Sequence, residues 1–321
     1  MTNDIKAALR DMGFGAPLAM EALGGGVSCD VFLVDLGEGR RICVKRALPK
    51  LRVAADWFAP AERAEAEVAW IGVMAGLDPR WVPKVLGEDK TRHVFAMEYL
   101  PYPVWKSELA EGRIDTGFAA KIGTALARIH AVRGIAERFA NNAQFRALRI
   151  EPYLLFTAER HPDAAPRIRA IADGVTSARV ALMHGDVSPK NILRGPDGPV
   201  FLDAECACWG DPAFDLAFCL NHLLLKAVWH PQDAGALFES FRALKSAYSP
   251  DAALDRRAAA LLSALLLARI DGKSPVEYLT DEDQKDFVRK QAKMFLTEEG
   301  LSLDDIALRF LKVLREHPPS P

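Results

Sequence analysis

Residues 183–218, MHGDVSPKNILRGPDGPVFLDAECACWGDPAFDLAF, gather the side chains most able to do chemistry. Asp186 follows His184 and Gly185, Asn191 lies five residues beyond it, and Asp203 lies twelve beyond Asn191. Apolar triplets flank the Asp–Asn loop and read as short strands. Phosphoryl transfer asks little covalent work of a protein. It needs a base aimed at an acceptor hydroxyl and oxygen ligands for cations bridging the phosphates. An Asp and an Asn on one loop, with a second Asp ending the next strand, supply those parts. Mg²⁺ takes oxygen ligands and keeps several waters, so two side chains plus nucleotide phosphates suffice for it.

Such a loop must be held against a second surface, and the rest of the chain divides accordingly. Residues 4–12 read as a short helix. Val31, Leu33, Ile42 and Val44 alternate around a turn at Gly37–Gly39, which predicts a β-hairpin within 24–48. Residues 60–77 have helical spacing, ended by Pro79 and Pro83, and 82–101 read as two strands around a Glu88–Arg92 turn. Beyond about residue 105 helices dominate. Phe118, Ile122, Ala125, Leu126 and Ile129 share one face over 115–131. Further helices are predicted at 163–179, 214–228, 232–247, 251–270, 282–297 and 303–315, with strands at 180–183, 191–194 and 199–203. The division falls near Glu98–Pro101, giving residues 1–98 and 99–321.

The motif HGDxxxxN, then Asp203, then Gly210-Asp211-Pro212 with Asp215-Leu216-Ala217, resembles the aminoglycoside phosphotransferase, choline kinase and methylthioribose kinase superfamily. The resemblance spans roughly residues 20–280. It implies an α+β, bilobal protein-kinase-like fold, with a small β-rich N-terminal lobe and a larger, mostly α-helical C-terminal lobe. It also implies ATP and Mg²⁺ as cofactors. Asp186 would be the catalytic base, Asn191 and Asp203 the Mg²⁺ ligands, and Asp215 a brace for the loop. His130 and His184 would be structural. Lys45 would contact the α- and β-phosphates below a turn of Gly24, Gly25, Gly26, Val27 and Ser28, paired with Glu67 in preference to Glu65 or Glu62. Relatives often carry Asn after that Ser; Cys29-Asp30 stands here, and brings an acid near the phosphates. Glu98, Tyr99 and Leu100 resemble the hinge that meets adenine, with Val31, Val44 and Met97 around the ring. Glu205 would assist the metal or the acceptor, Lys190 could approach the γ-phosphate, and Arg269 and Asp271 are candidates for substrate contact.

Composition limits the partners. Lys and Arg total 41 against 43 Asp and Glu, a net charge of −2, so neither nucleic acid nor an anionic membrane is an expected partner. Arg40–Arg41 and Arg256–Arg257 read as solvated surface. Five cysteines without framework spacing read as reduced thiols, and the pattern reads as cytoplasmic. Gly272-Lys273-Ser274 is no Walker A loop, because Leu267 stands where its first glycine belongs. The expected acceptor is a hydroxyl of a small molecule: a sugar, an amino alcohol such as choline, or an aminoglycoside. The mixed charges of 230–321 do not favour the polycationic last class. The alternatives are a kinase acting on a protein-linked hydroxyl, a pseudokinase or nucleotide-binding regulatory protein without phosphoryl transfer, and a purely structural interaction protein.

Overall fold

The computed structural model describes residues 2–24, 28–52 and 57–319. Helix α1 (Thr2–Asp11) precedes strands β1 (Ala19–Ala22), β2 (Cys29–Asp35) and β3 (Arg41–Ala47). Helix α2 (Arg63–Leu77) follows, then β4 (Val85–Asp89) and β5 (Val94–Glu98). The five strands form one antiparallel sheet in the order β1-β2-β3-β5-β4. Strand β1 was not expected; its four residues are largely exposed and show no alternation.

Successive side chains of a strand point to opposite faces, and this sorts the sheet. Ile42 and Val44 of β3, with Val94 and Ala96 of β5, pack under Ile5, Ala8 and Leu9 of α1. Cys43, Lys45 and Met97 face the other way and line a cleft. The expectation that Val44 borders the adenine is therefore corrected: with Lys45 turned to the cleft, Val44 must face α1, and Cys43 takes the place beside the cleft.

The helical part opens with α3 (Trp105–Ala110) and α4 (Thr116–His130). Helix α5 (Ala143–Phe145), a π-helical stretch (Arg146–Leu155) and α6 (Phe156–Arg160) then run on without a break, with Pro152 inside. After α7 (Ala165–Ser177) come four short strands. β6 (Ala181–Met183) pairs with β9 (Cys208–Gly210), and β7 (Ile192–Arg194) with β8 (Pro199–Phe201). Helices α8 (Ala213–Trp229), α9 (Ala234–Tyr248), α10 (Ala252–Asp271), α11 (Glu282–Thr297) and α12 (Leu303–Glu316) complete the chain. Residues 213–228 of α8 are all buried, the mark of a helix enclosed on every side. Its neighbours are α9 and α10. Helices α4 and α9 approach so closely that a Cβ at Gly123 would sit 2.2 Å from the Leu244 carbonyl oxygen. The five cysteines are buried and unpaired. Among the described residues no helix is long and apolar enough to cross a membrane.

Candidate active site

The loop between β6 and β7 is fixed from below. Asp215, in the first turn of α8, accepts from the backbone N–H groups of His184 (2.7 Å) and Gly185 (2.8 Å). His130 Nε2 lies 3.1 Å from the same carboxylate, and its Nδ1 is 2.8 Å from the Tyr248 hydroxyl. Burial works against the charge on Asp215, yet these donors hold its carboxyl below the usual range. His184 Nε2 lies 3.0 Å from the Leu202 carbonyl, and its Nδ1 accepts from Asp186 N–H at 3.1 Å. One nitrogen donates and the other accepts, so the ring is neutral; burial lowers its pKa. Its edge packs on Trp70, with ring centroids 4.9 Å apart. Gly185 has φ +78°, and a Cβ there would meet Cys206 Cβ at 2.6 Å and its carbonyl oxygen at 2.7 Å. Only glycine fits.

Asp186 is 1% exposed and lines the cleft. Asn191 Nδ2 (2.7 Å), Arg149 Nη2 (2.6 Å) and Lys190 Nζ (3.5 Å) all approach its Oδ2. Among the described residues no hydrogen bond falls on Oδ1, so that oxygen keeps lone pairs able to accept one. The Asn191 amide also donates to the Asp186 carbonyl at 3.0 Å. With Nδ2 so engaged, Asn191 presents Oδ1 as a neutral oxygen ligand. Leu202 N–H donates to the Asn191 carbonyl (2.8 Å), which ties the next loop and Asp203 alongside. Asp203 holds φ +65°, an uncommon conformation for a residue with a side chain.

Lys45 is 4% exposed. Its Nζ is 2.5 Å from Glu67 Oε2 and also bonds Asp203 Oδ1. One ammonium thus serves two carboxylates. Burial, only partly offset by Lys45, lifts Glu67 to a pKa of about 7. Burial also opposes the charge of Asp203, but Lys45, Lys190 and Arg149 hold that carboxyl below its usual range. Ser28 lines the cleft, while Gly25, Gly26 and Val27 lie outside the described residues. Asp30 turns away from the cleft: its carboxylate lies 2.6 Å from Arg46 Nη2 and also bonds Arg52. Glu98, Tyr99 and Leu100 border the cleft where β5 ends, beside Val31, Cys43, Met97 and Leu202.

Glu205 is held by the sheet-bearing half of the chain. Arg63 Nε donates to its Oε2 at 2.8 Å, and Cys29 Sγ lies 3.4 Å from the same oxygen. Ligand atoms of Cys29, Asp203 and Glu205 all lie within 4.8 Å of one another. Arg63 also donates to the carbonyls of Ser28 (2.5 Å), Leu48 (2.7 Å) and Pro60 (2.8 Å). Arg269 lines the cleft, but Asp271 does not: its carboxylate is engaged by Arg289 (Nε–Oδ2 3.0 Å) and His161 (2.9 Å). Asp271 is therefore placed to hold α11 on α10 rather than to meet a substrate. Arg257 is not idle surface either; its Nε lies 2.9 Å from buried Asp211.

Lys45, Glu67, Asp186, Asn191, Asp203, Glu205 and Arg269 border one cleft of about 830 Å³. The buried cations Arg149 and Lys226 in its lining, and Arg63 behind Glu205, were absent from the sequence analysis. Arg63 lies four residues before Glu67 on α2, and that spacing could have flagged a shared face. Lys226 and His222 are polar residues within the mostly apolar stretch of α8 beyond Asp215, which is also a readable signal. Arg149 gave none, because it sits in a π-helical turn whose period no helical template matches.

The sequence profile described as the phosphotransferase enzyme family matches residues 19–262. The chain is similar to the methylthioribose kinase of Geobacillus thermodenitrificans (strain NG80-2), 27% identical over 254 residues, 68% of this chain and 63% of that one. The methylthioribose kinase of Pectobacterium carotovorum subsp. carotovorum (strain PC1) is 28% identical over 243 residues, 65% of this chain and 60% of that one. The match thus spans about three fifths of the length of these curated relatives. Among solved structures, a choline/ethanolamine kinase family protein from Mesorhizobium loti aligns with TM-score 0.59 and 16% identity, covering 97% of this chain and 99% of that one. The streptomycin-ATP-APH(2")-IIa ternary complex aligns with TM-score 0.52 and 15% identity, covering 94% and 97%. At such identities these likenesses establish the fold, that of the protein-kinase-like phosphotransferases.

Proposed function

Since the chain belongs to the phosphotransferase enzyme family, we propose that it transfers the γ-phosphate of ATP to a hydroxyl group of a small molecule, with Asp186 as base. The observation that carries this reading is the convergence of Lys45–Glu67, Asp186, Asn191 and Asp203 on one cleft. The nucleotide occupies the half bordered by Val31, Met97 and the backbone of Glu98–Leu100. Lys45, oriented by Glu67, contacts its phosphates. The donor set fits Mg²⁺: the Asp203 carboxylate and the Asn191 amide oxygen are hard ligands side by side, and neither needs to be deprotonated from a thiol or imidazole. When bound, Mg²⁺ neutralises charge on the phosphates. Residues 1–98 supply most of the nucleotide contacts, joined by Tyr99 and Leu100, and 99–321 supply the base, the metal ligands and the acceptor contacts.

Asp186 works by placement. Arg149 and Asn191 fix the carboxylate through Oδ2, so Oδ1 meets the acceptor hydroxyl and takes its proton as the oxygen attacks. Lys190, half exposed on the same loop, follows the transferred group. The test is ADP release with Mg·ATP against sugars, amino alcohols, nucleosides, sugar acids and aminoglycosides, with Asp186→Ala as control. A stimulating acceptor, and a loss of roughly 10²–10⁴-fold in the control, is the expected result. Mg·ATP stabilisation without release for any acceptor would instead favour a nucleotide-binding protein without transfer.

A further inference from the structure

The half of the cleft beyond Asp186 has an unusual charge balance. Its lining includes Lys106, Arg149, Lys190, Lys226, Arg269 and Lys273 against two carboxylates, Asp186 and Glu277. Both carboxylates are already matched, Asp186 by Arg149 and Lys190, and Glu277 by Lys106. Lys226, Arg269 and Lys273 make no direct ion pair among the described residues; Glu277 acts on Lys226 and Arg269 from a distance while bonded to Lys106. Two of these are buried, Lys226 at 1% exposure and Arg269 at 8%.

The buried polar atoms are also short of partners. Lys226 Nζ, His222 Nε2, Arg269 Nε and the Tyr278 hydroxyl border this half of the cleft, and none has a hydrogen-bond partner among the described residues. A native fold seldom leaves buried donors unmatched unless something else completes them. Lys226 Nζ rests over the rings of Trp229 (4.6 Å) and Tyr278 (4.5 Å). An aromatic cage of this kind suits a ligand's ammonium group, and here the protein's own cation fills it. Burial, with Lys106 nearby and only partly offset by Glu277, brings Lys226 down to a pKa of about 8, as expected of an ammonium without a direct ion pair.

We propose that the acceptor carries an anionic group, a carboxylate or a phosphate, bound by Lys226 with Arg269, His222 and Tyr278. This rests on the phosphotransferase reading only in taking this half of the cleft as the acceptor side. Phe218, His222 and Lys226 follow one another at four-residue spacing along one face of α8. Phe218 lies under Arg149, the partner of Asp186. His222 and Lys226 thus lie one and two turns along α8 from Phe218, about 6 and 12 Å along the helix axis, on the side away from the Phe218–Arg149 contact. The reacting hydroxyl and the anionic group stand at opposite ends of the acceptor. Choline-like and aminoglycoside acceptors, which bring cations, are disfavoured by the same charges.

The test is binding without nucleotide, by calorimetry and thermal shift, using glucose, glucosamine, gluconate, glucose 6-phosphate, acetate and inorganic phosphate. Anions are expected to bind and stabilise, while glucose and glucosamine do not. Lys226→Met should weaken anion binding roughly ten- to a hundredfold, and Lys226→Arg should restore part of it. Folding of the variants is checked by circular dichroism, and Arg269→Gln provides an independent loss. Stronger binding of gluconate assigns a carboxylate; stronger binding of glucose 6-phosphate assigns a phosphate. Equal binding of glucosamine, anion binding unchanged in Lys226→Met, or no stabilisation by any anion at millimolar concentration overturns the proposal. Anion binding without ADP release would keep this site and refute transfer; release driven by a cationic alcohol would do the reverse.

Discussion

Replacing Arg63 with Met should destabilise the protein far more than an ordinary substitution on a helix. Arg63 is 1% exposed and its guanidinium joins two parts of the chain. It meets Glu205 at 2.8 Å, on the loop after Asp203, and four carbonyls of the sheet-bearing half: Ser28, Leu48, Ala59 and Pro60. Met keeps the apolar stem but leaves Glu205, 3% exposed, with the Cys29 thiol as its one hydrogen-bond partner among the described residues and the like charge of Asp203 close by. Removing one partner of a buried pair costs about 3–5 kcal/mol. Each carbonyl left without a donor adds about 1–3 kcal/mol unless water reaches it. Ser28 keeps a second donor, Leu48 N–H at 3.0 Å, so its share is small. A loss of at least about 4 kcal/mol follows, a large part of the roughly 5–15 kcal/mol that stabilises a folded protein. At about 2 °C per kcal/mol, thermal unfolding in Mg²⁺-free buffer should fall by about 8 °C or more. Glu205→Leu should cost somewhat less, because Arg63 retains its carbonyls, and Glu205→Gln least, because it still accepts from Nε. The double variant Arg63→Met/Glu205→Leu should be less harmful than the sum of the singles by about 2 kcal/mol or more. Single losses under about 1 kcal/mol that add in the double variant would refute the claim that this contact joins the two halves.

Gly185→Ala should lose about 3 kcal/mol from a left-handed backbone and overpacking together, because its Cβ would meet Cys206 backbone that cannot step aside; calorimetry that finds under about 1 kcal/mol contradicts this. Glu67 has a folded pKa of about 7, above its ordinary 4.5, so the folded state binds more protons between those values. Stability from this group is therefore greatest below pH 4.5 and lost as pH rises through about 7. The difference in unfolding free energy between wild type and Glu67→Gln, followed against pH, should slope across that window; a flat difference means that Lys45 alone neutralises Glu67.

How much was legible in the sequence depended on what kind of signal a residue leaves. Strands β2 to β5 and the longer helices α4 and α7 to α12 showed themselves through period, and the loop residues Asp186, Asn191 and Asp203 through spacing; β1, α3 and the helical run over 143–160 did not. Lys45 and Glu67 were paired from resemblance, and they lie 2.5 Å apart. Val44 was misplaced because the alternation that puts Lys45 in the cleft was not applied to its neighbour. Asp30 looked like an acid among phosphates, but the same alternation turns it to Arg46 and Arg52. Arg149 was unreadable: its partner Asp186 lies 37 residues away, and its own turn is π-helical with a proline inside.

The residues that sequence missed share a property, and it bears on how the site functions. Arg63, Arg149 and Lys226 are all buried cations. Two face carboxylates from other elements and one faces none. A buried cation survives only where an anion or several acceptors meet it, so each one predicts a partner that local pattern cannot name. For Arg63 and Arg149 the fold supplies that partner, and the pairing holds Glu205 and Asp186 in place before any substrate arrives. For Lys226 the fold supplies two aromatic rings and no direct ion pair among the described residues. The same rule that makes the first two structural makes the third a demand on the ligand: an acceptor that answers it binds with a charge already waiting, and one that brings a second cation must displace Lys226 from its rings.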